Sequence, residues 1–233
     1  MFGVNITEAS IGCYMYRRYG PTIQAYQSYS NQDSRKEGTF LTKFNRTTNG
    51  VVTGVVEFVP EDKGFYPGTK GWNTASPGNI KFYDRTPESA SLKFPQANIY
   101  VMRYSDVLLN YAEAENQLNG PTADALAKFN AVRTRAKLDA LSGMSKQELD
   151  DYIFRERGWE FIGESQIYFD EIRTNRLGKN VKAAFNESVA MGIYMYKDAK
   201  LEFVPKKTFL WKIPTYDLDS NPALIQNPDN ISD

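Results

Sequence analysis

The sequence predicts a mainly α-helical protein that combines helical hairpins with an irregular, loop-rich part containing short β-strands. Two observations lead to this fold class. Residues 1–98 are rich in Gly, Asn, Thr, Tyr and Pro and contain only short alternating runs, whereas apolar residues recur with helical spacing from residue 99 onward. We therefore expect an irregular, ligand-side region over 1–98 and a helical scaffold with a C-terminal coil over 99–233, together forming one compact unit.

Two segments of the irregular region carry strand patterns. These are "GVVTGVVEFV", residues 50–59, and "NIKFYD", residues 79–84. Short alternating runs of this kind are typical of strands or hairpins joined by loops.

The first helical segment is "YVMRYSDVLLNYAEAENQLNG", residues 100–120. At about 100° per residue, one face carries an apolar stripe formed by Tyr104, Val107, Leu108, Tyr111, Ala112 and Leu118. The stripe is predicted to face the core, whereas Met102 and Leu109 lie nearly opposite and indicate packing on a second side.

A second helix follows the first almost at once. Gly120 and Pro121 end the first helix, and Thr122 caps the second. So short a break predicts an antiparallel helical hairpin. The placement of Ala125 and Phe129 resembles the second helix of a tetratricopeptide repeat.

A third helix opens with "SKQE", residues 145–148. In this capping box the serine and the glutamate satisfy backbone donors reciprocally. The helix is predicted to run to about Arg173. From about Asp217 the chain is predicted to be coil, because Asn, Asp and Pro recur there.

Composition excludes several classes of site. The chain has no histidine, which rules out Ser/His/Asp catalysis, Cys/His catalysis and His-ligated zinc. Its single cysteine, Cys13, allows neither a disulfide within the chain nor a thiolate zinc site, and no Gly-rich phosphate loop is present, so no cofactor is expected. Lys plus Arg and Asp plus Glu both number 28, so the chain has no strong field to attract nucleic acid.

The segment "ASIGCYM", residues 9–15, resembles the cleavage site of a bacterial lipoprotein, in which the cysteine receives the lipid. The preceding residues lack a basic start and a long apolar run, so we interpret Cys13 as an ordinary residue. No segment approaches the roughly 18 apolar residues that cross a bilayer.

The segment "RERGWEFIGE", residues 155–164, places a glutamate at every fourth position of a face that should be apolar. Glutamates one helical turn apart, with Cβ atoms about 6 Å apart, could hydrolyse a glycosidic bond. Glutamates on helices could also hold two metal ions, although such sites normally include histidines. In a third interpretation, which we favour, the glutamates form buried ion pairs with arginines, and these pairs connect the helices.

The favoured interpretation predicts a structural polar network that fixes the register of the helices. Its predicted members are Glu115, Arg133, Glu156, Glu160 and Glu164. Arg155, Arg157 and Arg173 lie near these glutamates in the sequence and are further candidate partners.

Four motifs resemble, in order, the C-terminal motifs of the SusD/RagB family. They are "VMRYSDVLLNYAEAENQL", "FNAVRTRAKL", "ELDDYIFRERGWEFIGE" with "FDEIR", and "FLWKIPTYDLDSNPALIQNPD". Upstream, Asp33 and Arg35 match the "DxR" segment of that family. The resemblance covers residues 30–230 approximately.

The resemblance implies a surface-exposed lipoprotein of a Gram-negative outer membrane that captures glycans without catalysis and delivers them to a TonB-dependent, SusC-like transporter. Some relatives capture peptides instead. It also implies a helical fold with tetratricopeptide-like hairpins as the scaffold. Family members are usually longer and carry a lipidated N-terminal cysteine, so we expect this chain to be a C-terminal portion or a divergent member, and its membrane association to depend on a lipid anchor outside it.

The segment "GESQIYFDEIR", residues 163–173, departs from the family pattern "EGxRxFD". Ser165 and Ile167 stand where relatives commonly carry glycine and arginine. We therefore expect Glu164 or Asp170 to find another partner.

A glycan ligand would bind through aromatic faces and polar side chains, which residues 64–85 combine in a glycine-rich setting. The predicted ligand-binding residues are Trp72, Tyr66, Tyr83, Asn73 and Arg85, with Trp72 the best candidate, because aromatic residues on loops are hard to explain as core. The alternative is that these rings pack the irregular part onto the helices. A second cluster consists of Tyr14, Tyr16, Tyr19, Tyr26 and Tyr29, whereas Trp159 and Trp211 are predicted to be core.

Two other functions remain open at this point. A glycoside hydrolase would use two of the three glutamates of residues 155–164, whose carboxylates must then line an open cleft. A tetratricopeptide-like scaffold would bind only another protein, which leaves the aromatic loop without a purpose.

Overall fold

A computed structural model describes residues 21–48, 51–57, 77–81, 98, 100–190 and 212–227. Its helices are α1 (Ile23–Gln27), α2 (Arg35–Thr39), α3 (Tyr104–Asn119), α4 (Ala123–Arg135), α5 (Lys146–Glu160), α6 (Ile167–Arg173), α7 (Leu177–Ala190) and α8 (Thr215–Ser220). Its strands are β1 (Phe40–Leu41), β2 (Lys43–Thr48), β3 (Val51–Glu57) and β4 (Gly78–Asn79). The mainly helical fold class with short strands is confirmed.

The chain divides into two compact units, Met1–Ile167 and Tyr168–Asp233. The predicted boundary at residue 98, between the irregular region and the helical scaffold, thus lies inside the first unit. The boundary between the two units falls at the start of α6.

Helices α3 and α4 form the predicted hairpin and pack against each other. Gly120 ends α3 with φ at 83°, a left-handed conformation that favours glycine. The Thr122 hydroxyl then caps α4 by accepting a hydrogen bond of 3.2 Å from the N–H of Ala125. Helix α5 packs against α3 as well, so α3 is the central helix of the three.

The hydrophobic core of the first unit lies among these three helices. Its buried members are Leu109, Ala112, Ala125, Phe129, Val132, Leu149, Ile153 and Phe161. Ala125 and Phe129, the positions that resemble a tetratricopeptide repeat, are both fully buried.

The predicted core face of α3 is wrong for most of its stripe. The helix buries Ser105, Leu109, Ala112 and Asn116, whereas Tyr104, Val107, Tyr111 and Leu118 are between 45% and 81% exposed. Polar partners explain this orientation, because Asp106 accepts a 2.7 Å hydrogen bond from Arg157 and Asn116 donates one of 2.9 Å to the carbonyl of Lys146.

The capping box at the start of α5 is confirmed, since Ser145 accepts from the Glu148 N–H at 3.3 Å and Glu148 accepts from the Ser145 N–H at 2.8 Å. The predicted continuation of this helix to Arg173 is wrong. Helix α5 ends at Glu160, and Gly163 and Ser165 then adopt φ values of 79° and 61°, which are incompatible with a right-handed helix.

The irregular part contains two small antiparallel ladders. Strands β2 and β3 pair with Lys43 opposite Glu57, and the register shifts between Arg46 and Thr47. Strands β1 and β4 pair with Phe40 opposite Asn79. Strand β3 lies within the first predicted run, whereas β4 only reaches the first residue of the second.

The second unit contains helix α8 where coil was predicted from Asp217. Pro214 precedes its first turn, and an acidic residue in that turn, Asp217, interacts favourably with the helix dipole. Downstream, the Gln226 amide accepts from the N–H of Ile213 at 2.9 Å and donates to its carbonyl at 3.0 Å. None of the helices in the described ranges combines the length and apolar character of a membrane span.

Candidate functional site: a buried arginine–carboxylate cluster

The described residues bring nine charged side chains together in the first unit. This arginine–carboxylate cluster consists of Asp33, Arg35, Lys81, Arg103, Arg133, Arg135, Glu156, Glu160 and Glu164. Its carboxylates come mainly from α5 and the turn that follows, and its cations come from α4 and three segments distant in sequence.

Glu156 lies deepest in the cluster, with a fully buried side chain. Its Oε2 accepts a hydrogen bond of 3.0 Å from Nη1 of Arg133. Its Oε1 lies 2.7 Å from Nη1 of Arg35, with which it forms an ion pair. Burial raises the pKa of the Glu156 carboxyl, and Arg35 and Arg133 oppose the rise only in part.

Glu160, one turn later, is the most heavily paired carboxylate. It accepts hydrogen bonds of 2.6 Å from Nη1 of Arg103 and 3.1 Å from Nη1 of Arg35. Nη2 of Arg135 lies 2.6 Å from both carboxylate oxygens. Burial alone would raise the pKa of Glu160, but the hydrogen bonds from Arg103 and Arg135 outweigh it and lower the pKa to about 2.

Glu164 lies beyond the end of α5 and forms a bidentate ion pair with Arg103. The Nε and Nη2 atoms of Arg103 donate to its two carboxylate oxygens at 3.1 Å and 2.7 Å, a planar arrangement that suits arginine. Lys81 forms an ion pair with the same carboxylate. Burial lowers the pKa of Lys81, and Glu164 offsets part of this decrease.

The same two cations also terminate α5. The carbonyl of Glu160 accepts hydrogen bonds from Nη2 of Arg103, at 2.9 Å, and from the Lys81 ammonium. Carbonyls in the last turn of a helix lack partners within the helix and attract positive charge. Arg103 and Lys81 therefore fix both the end of the helix and the chain that follows.

Asp33 orients Arg35. Its Oδ1 accepts from Nε of Arg35 at 2.9 Å and its Oδ2 accepts from Nη2 at 2.7 Å, which leaves Nη1 to contact Glu156 and Glu160. Although burial opposes the charged form, Asp33 and Glu156 raise the pKa of the Arg35 guanidinium. The sequence identified Asp33 and Arg35 only as a "DxR" match and missed their place in the cluster.

One predicted member of the network and one candidate partner lie elsewhere. Glu115 accepts hydrogen bonds of 3.0 Å from Thr122 and Asn119, so it connects the two ends of the α3–α4 turn. Arg155 is exposed, with its guanidinium 5.6 Å from the centre of the Tyr152 ring. Sequence reasoning also missed Lys81, Arg103 and Arg135, since no local signal links them to α5.

The residues downstream of α5 find the alternative partners that were expected. Arg103 and Lys81 contact Glu164. Asp170 instead pairs with Arg173, three residues later, whose Nε and Nη2 atoms lie 2.8 Å and 2.7 Å from Oδ1 of Asp170. Ser165, which stands where glycine is common, adopts the left-handed φ of 61° that glycine tolerates best.

The predicted ligand-binding residues Trp72, Tyr66, Tyr83, Asn73 and Arg85 lie outside the described residues, as do Cys13, Trp211 and the first three members of the second tyrosine cluster. Tyr26 and Tyr29 are described, and both make edge-to-face contacts with Phe40 at about 5 Å. Trp159, predicted to be core, is only partly buried and donates a hydrogen bond of 3.0 Å to the Ser28 hydroxyl.

The cluster holds its carboxylates as ion-pair partners. The side chains of Glu156, Glu160 and Glu164 are between 0% and 3% exposed, so they do not line the open cleft that a hydrolase requires. Within the described ranges, no group of three or more His, Cys, Asp or Glu side chains is placed to hold a metal ion.

The sequence profile of the SusD family matches residues 15–229. The chain belongs to the SusD family. The resemblance inferred from the ordered motifs is therefore confirmed.

Two curated relatives illustrate how much of a SusD-family protein this chain represents. A SusD-like protein from Bacteroides ovatus is 32% identical over 174 residues, which are 71% of this chain and 29% of that protein. A SusD-like protein from Formosa agariphila is 38% identical over 88 residues, which are 34% of this chain and 17% of that protein. The chain thus matches less than a third of the length of either relative.

Solved structures share the SusD fold with this chain. A SusD superfamily protein from Parabacteroides distasonis has a TM-score of 0.61 at 22% identity, covering 90% of this chain and 41% of its own. Surface glycan-binding protein A from Bacteroides thetaiotaomicron has a TM-score of 0.56 at 24% identity, again over 90% and 41%.

Proposed function

We propose that this chain is part of a noncatalytic SusD-like protein that captures oligosaccharides or polysaccharides at the surface of the outer membrane. In this proposal it delivers them to a TonB-dependent, SusC-like transporter, and a lipid anchor holds the protein at the membrane. The family match over residues 15–229 carries the proposal. The shared fold with a protein named as a surface glycan-binding protein supports the ligand class.

The burial and ion pairing of the glutamates support glycan binding rather than hydrolysis. A glycosidase needs one carboxyl group that gives up a proton to the leaving group and another that faces the sugar. Glu160 is held as a carboxylate by three arginines, and Glu156 lies fully buried between two. Neither side chain is placed to meet a polysaccharide.

The proposed ligand contacts are Trp72, Tyr66, Tyr83, Asn73 and Arg85. Their support comes from residue type, since flat aromatic rings stack on sugar rings and amide or guanidinium groups bind hydroxyls. All five lie on a glycine-rich segment of the irregular region, where loops commonly carry binding residues.

A panel of polysaccharides tests the proposed function. The purified chain is incubated with each polymer, and both retention on the polymer and release of reducing ends are measured. Retention without release is expected. Release of reducing ends would contradict a noncatalytic role, and a lack of retention on every glycan would contradict the ligand class and favour a peptide.

A substitution locates the proposed site. Trp72→Ala should abolish retention on the bound polymer while the melting temperature stays unchanged. Tyr216→Ala is the matched control, because Tyr216 is an aromatic residue that is 80% exposed on α8 in the second unit. Full retention by a folded Trp72→Ala variant would place the site elsewhere.

A further inference from the structure

A short described segment, residues 77–81, lies between Trp72 and Tyr83, two of the ligand contacts proposed above. We call residues 77–81 the anchor segment. A chain spans at most about 3.6 Å per residue, so the Cα atoms of Tyr83 and Arg85 must lie within about 7 Å and about 14 Å of that of Lys81. The position of the anchor segment therefore limits where the chain can present these side chains.

Backbone contacts hold the anchor segment against the end of α2 and against β1. Asn79 pairs with Phe40, and the N–H of Ile80 donates a hydrogen bond of 2.9 Å to the carbonyl of Thr39. The side-chain oxygen of Asn79 accepts one of 2.8 Å from the N–H of Lys81, which closes a local turn. A ladder of two residues is short for a strand pair, so the anchor segment needs further contacts to keep one position.

The Lys81 side chain supplies such contacts at the C-terminal end of α5. Its ammonium donates to the carbonyl of Glu160 and forms an ion pair with Glu164. The side chain is only 20% exposed, so water and salt screen these contacts less than those of a surface pair. The backbones also approach closely here, because a Cβ atom at Gly163 would overlap the side-chain amide of Asn79.

The end of α5 does not depend on Lys81 alone. Nη2 of Arg103 also donates to the carbonyl of Glu160, at 2.9 Å, and lies 2.7 Å from the Glu164 carboxylate. Without Lys81, both acceptors would therefore keep a cationic partner. The anchor segment, in contrast, would lose its ionic connection to α5, so the main contribution of Lys81 is to the position of residues 77–81.

We propose that Lys81 is a positioning residue of the glycan site: by connecting the anchor segment to α5, it fixes where the following chain presents Tyr83 and Arg85. This inference rests on the proposed function, which assigns those two side chains to the ligand. Lys81 itself does not touch the sugar. A segment that is already ordered loses less conformational freedom when the ligand binds, so loss of Lys81 weakens the binding of every glycan by a similar factor.

Lys81→Met tests the proposal, because methionine keeps a long, unbranched side chain and removes the ammonium. The dissociation constant is measured for the polysaccharide of the panel that the wild type retains most strongly, and the melting temperature is measured in parallel. Lys81→Met should bind about tenfold more weakly than the wild type. Lys81→Arg keeps the positive charge and should restore most of the affinity.

Glu160→Ala is the matched control for stability. The Glu160 carboxylate pairs with three arginines, whereas Lys81 contacts only the backbone carbonyl of this residue, which alanine keeps. If Lys81 acted only through stability, affinity would fall with the melting temperature, and Glu160→Ala would bind more weakly than Lys81→Met. Positioning predicts the reverse: Glu160→Ala has the lower melting temperature and Lys81→Met the lower affinity.

Hydrogen exchange without ligand provides a second measurement. Followed by mass spectrometry, a peptide spanning residues 77–85 should exchange faster in Lys81→Met than in the wild type, with no change in α3 and α4. Unchanged exchange, unchanged affinity or a variant that does not fold would each overturn the positioning role and leave the proposed function intact. If the wild type retains no glycan, the proposed function fails, and this inference fails with it.

Discussion

Replacing Glu160 by alanine should destabilise the first unit strongly. The carboxylate is 2% exposed and contacts three arginines. Its removal would leave the guanidinium groups of Arg35 and Arg103 without one anion, and these side chains are only 12% and 19% exposed. Arg135, in contrast, is 56% exposed and can turn towards water.

The size of the effect follows from these contacts. Deleting one partner of a buried ion pair costs about 3–5 kcal/mol, whereas an exposed pair such as that with Arg135 contributes about 0–1 kcal/mol. Arg35 keeps Asp33 and Arg103 keeps Glu164, so the lower end, about 3 kcal/mol, is expected. At about 2–4 °C per kcal/mol for a chain of this size, the melting temperature should fall by about 6–12 °C.

Thermal unfolding followed by circular dichroism measures this change. Glu37→Ala is the control, because Glu37 is an exposed glutamate on α2 and its removal should shift the melting temperature by less than about 2 °C. Below the transition, Glu160→Ala should bind glycan as the wild type does. An unchanged melting temperature for Glu160→Ala would refute the structural role of the cluster, and lost binding in a folded variant would place Glu160 in the ligand site.

Three further predictions concern pH and local conformation. Because the pKa of Glu160 is lowered to about 2 in the folded chain, its carboxylate stabilises fully above the unfolded pKa of about 4.3 and loses this contribution as the pH falls towards 2. The difference in melting temperature between the wild type and Glu160→Gln should therefore narrow from about pH 5 to about pH 3; a constant difference would contradict the pairing. Ser145→Ala should cost about 0.5–2 kcal/mol in urea unfolding, because it removes one half of the capping box, and an unchanged midpoint would argue against that cap. Lys137→Gly should raise the free energy of unfolding in urea by about 0.5–1 kcal/mol, since Lys137 is exposed with φ at 62° directly after α4; a decrease would mean that its side chain contributes to stability.

The features that sequence predicts well here depend on residues within one helical turn. The capping box of Ser145 and Glu148 and the Thr122 cap join groups three positions apart. Gly120 ends α3 through its own backbone conformation. The residues that form such interactions lie close together in the sequence and do not depend on how distant segments pack. A local sequence pattern therefore suffices to identify them.

The partners of the glutamates could not be predicted in the same way. Arg155 is adjacent to Glu156 in sequence, but neighbouring residues on a helix point in different directions, and Arg155 lies exposed over Tyr152. Arg35 reaches Glu160 across 125 positions. The pairing of residues so far apart is determined by how the segments pack, and charge spacing along one helix carries no information about it.

Helix α3 shows a different limit. Helical periodicity correctly indicates that one face of the helix is rich in apolar residues, but it does not indicate whether that face is the buried one. The observed orientation depends on Asp106 and Asn116, whose partners Arg157 and Lys146 belong to α5. A buried polar group without such a partner would be costly, so these two bonds, together with the burial of Leu109 and Ala112 in the core, favour the observed buried face of α3.

The motifs that resemble the family and the arginine–carboxylate cluster are largely the same residues. Asp33 and Arg35 come from the "DxR" match, and the three glutamates come from the motif around α5. Since these side chains are buried, a sequence that keeps them keeps the packing of the helices, whatever ligand it binds. The motifs therefore report the scaffold, and ligand choice must depend on residues outside the cluster. Substitutions in the cluster should alter the stability of the chain and leave the order of preference among glycans unchanged. Substitutions in residues 64–85 should change that order of preference without altering stability.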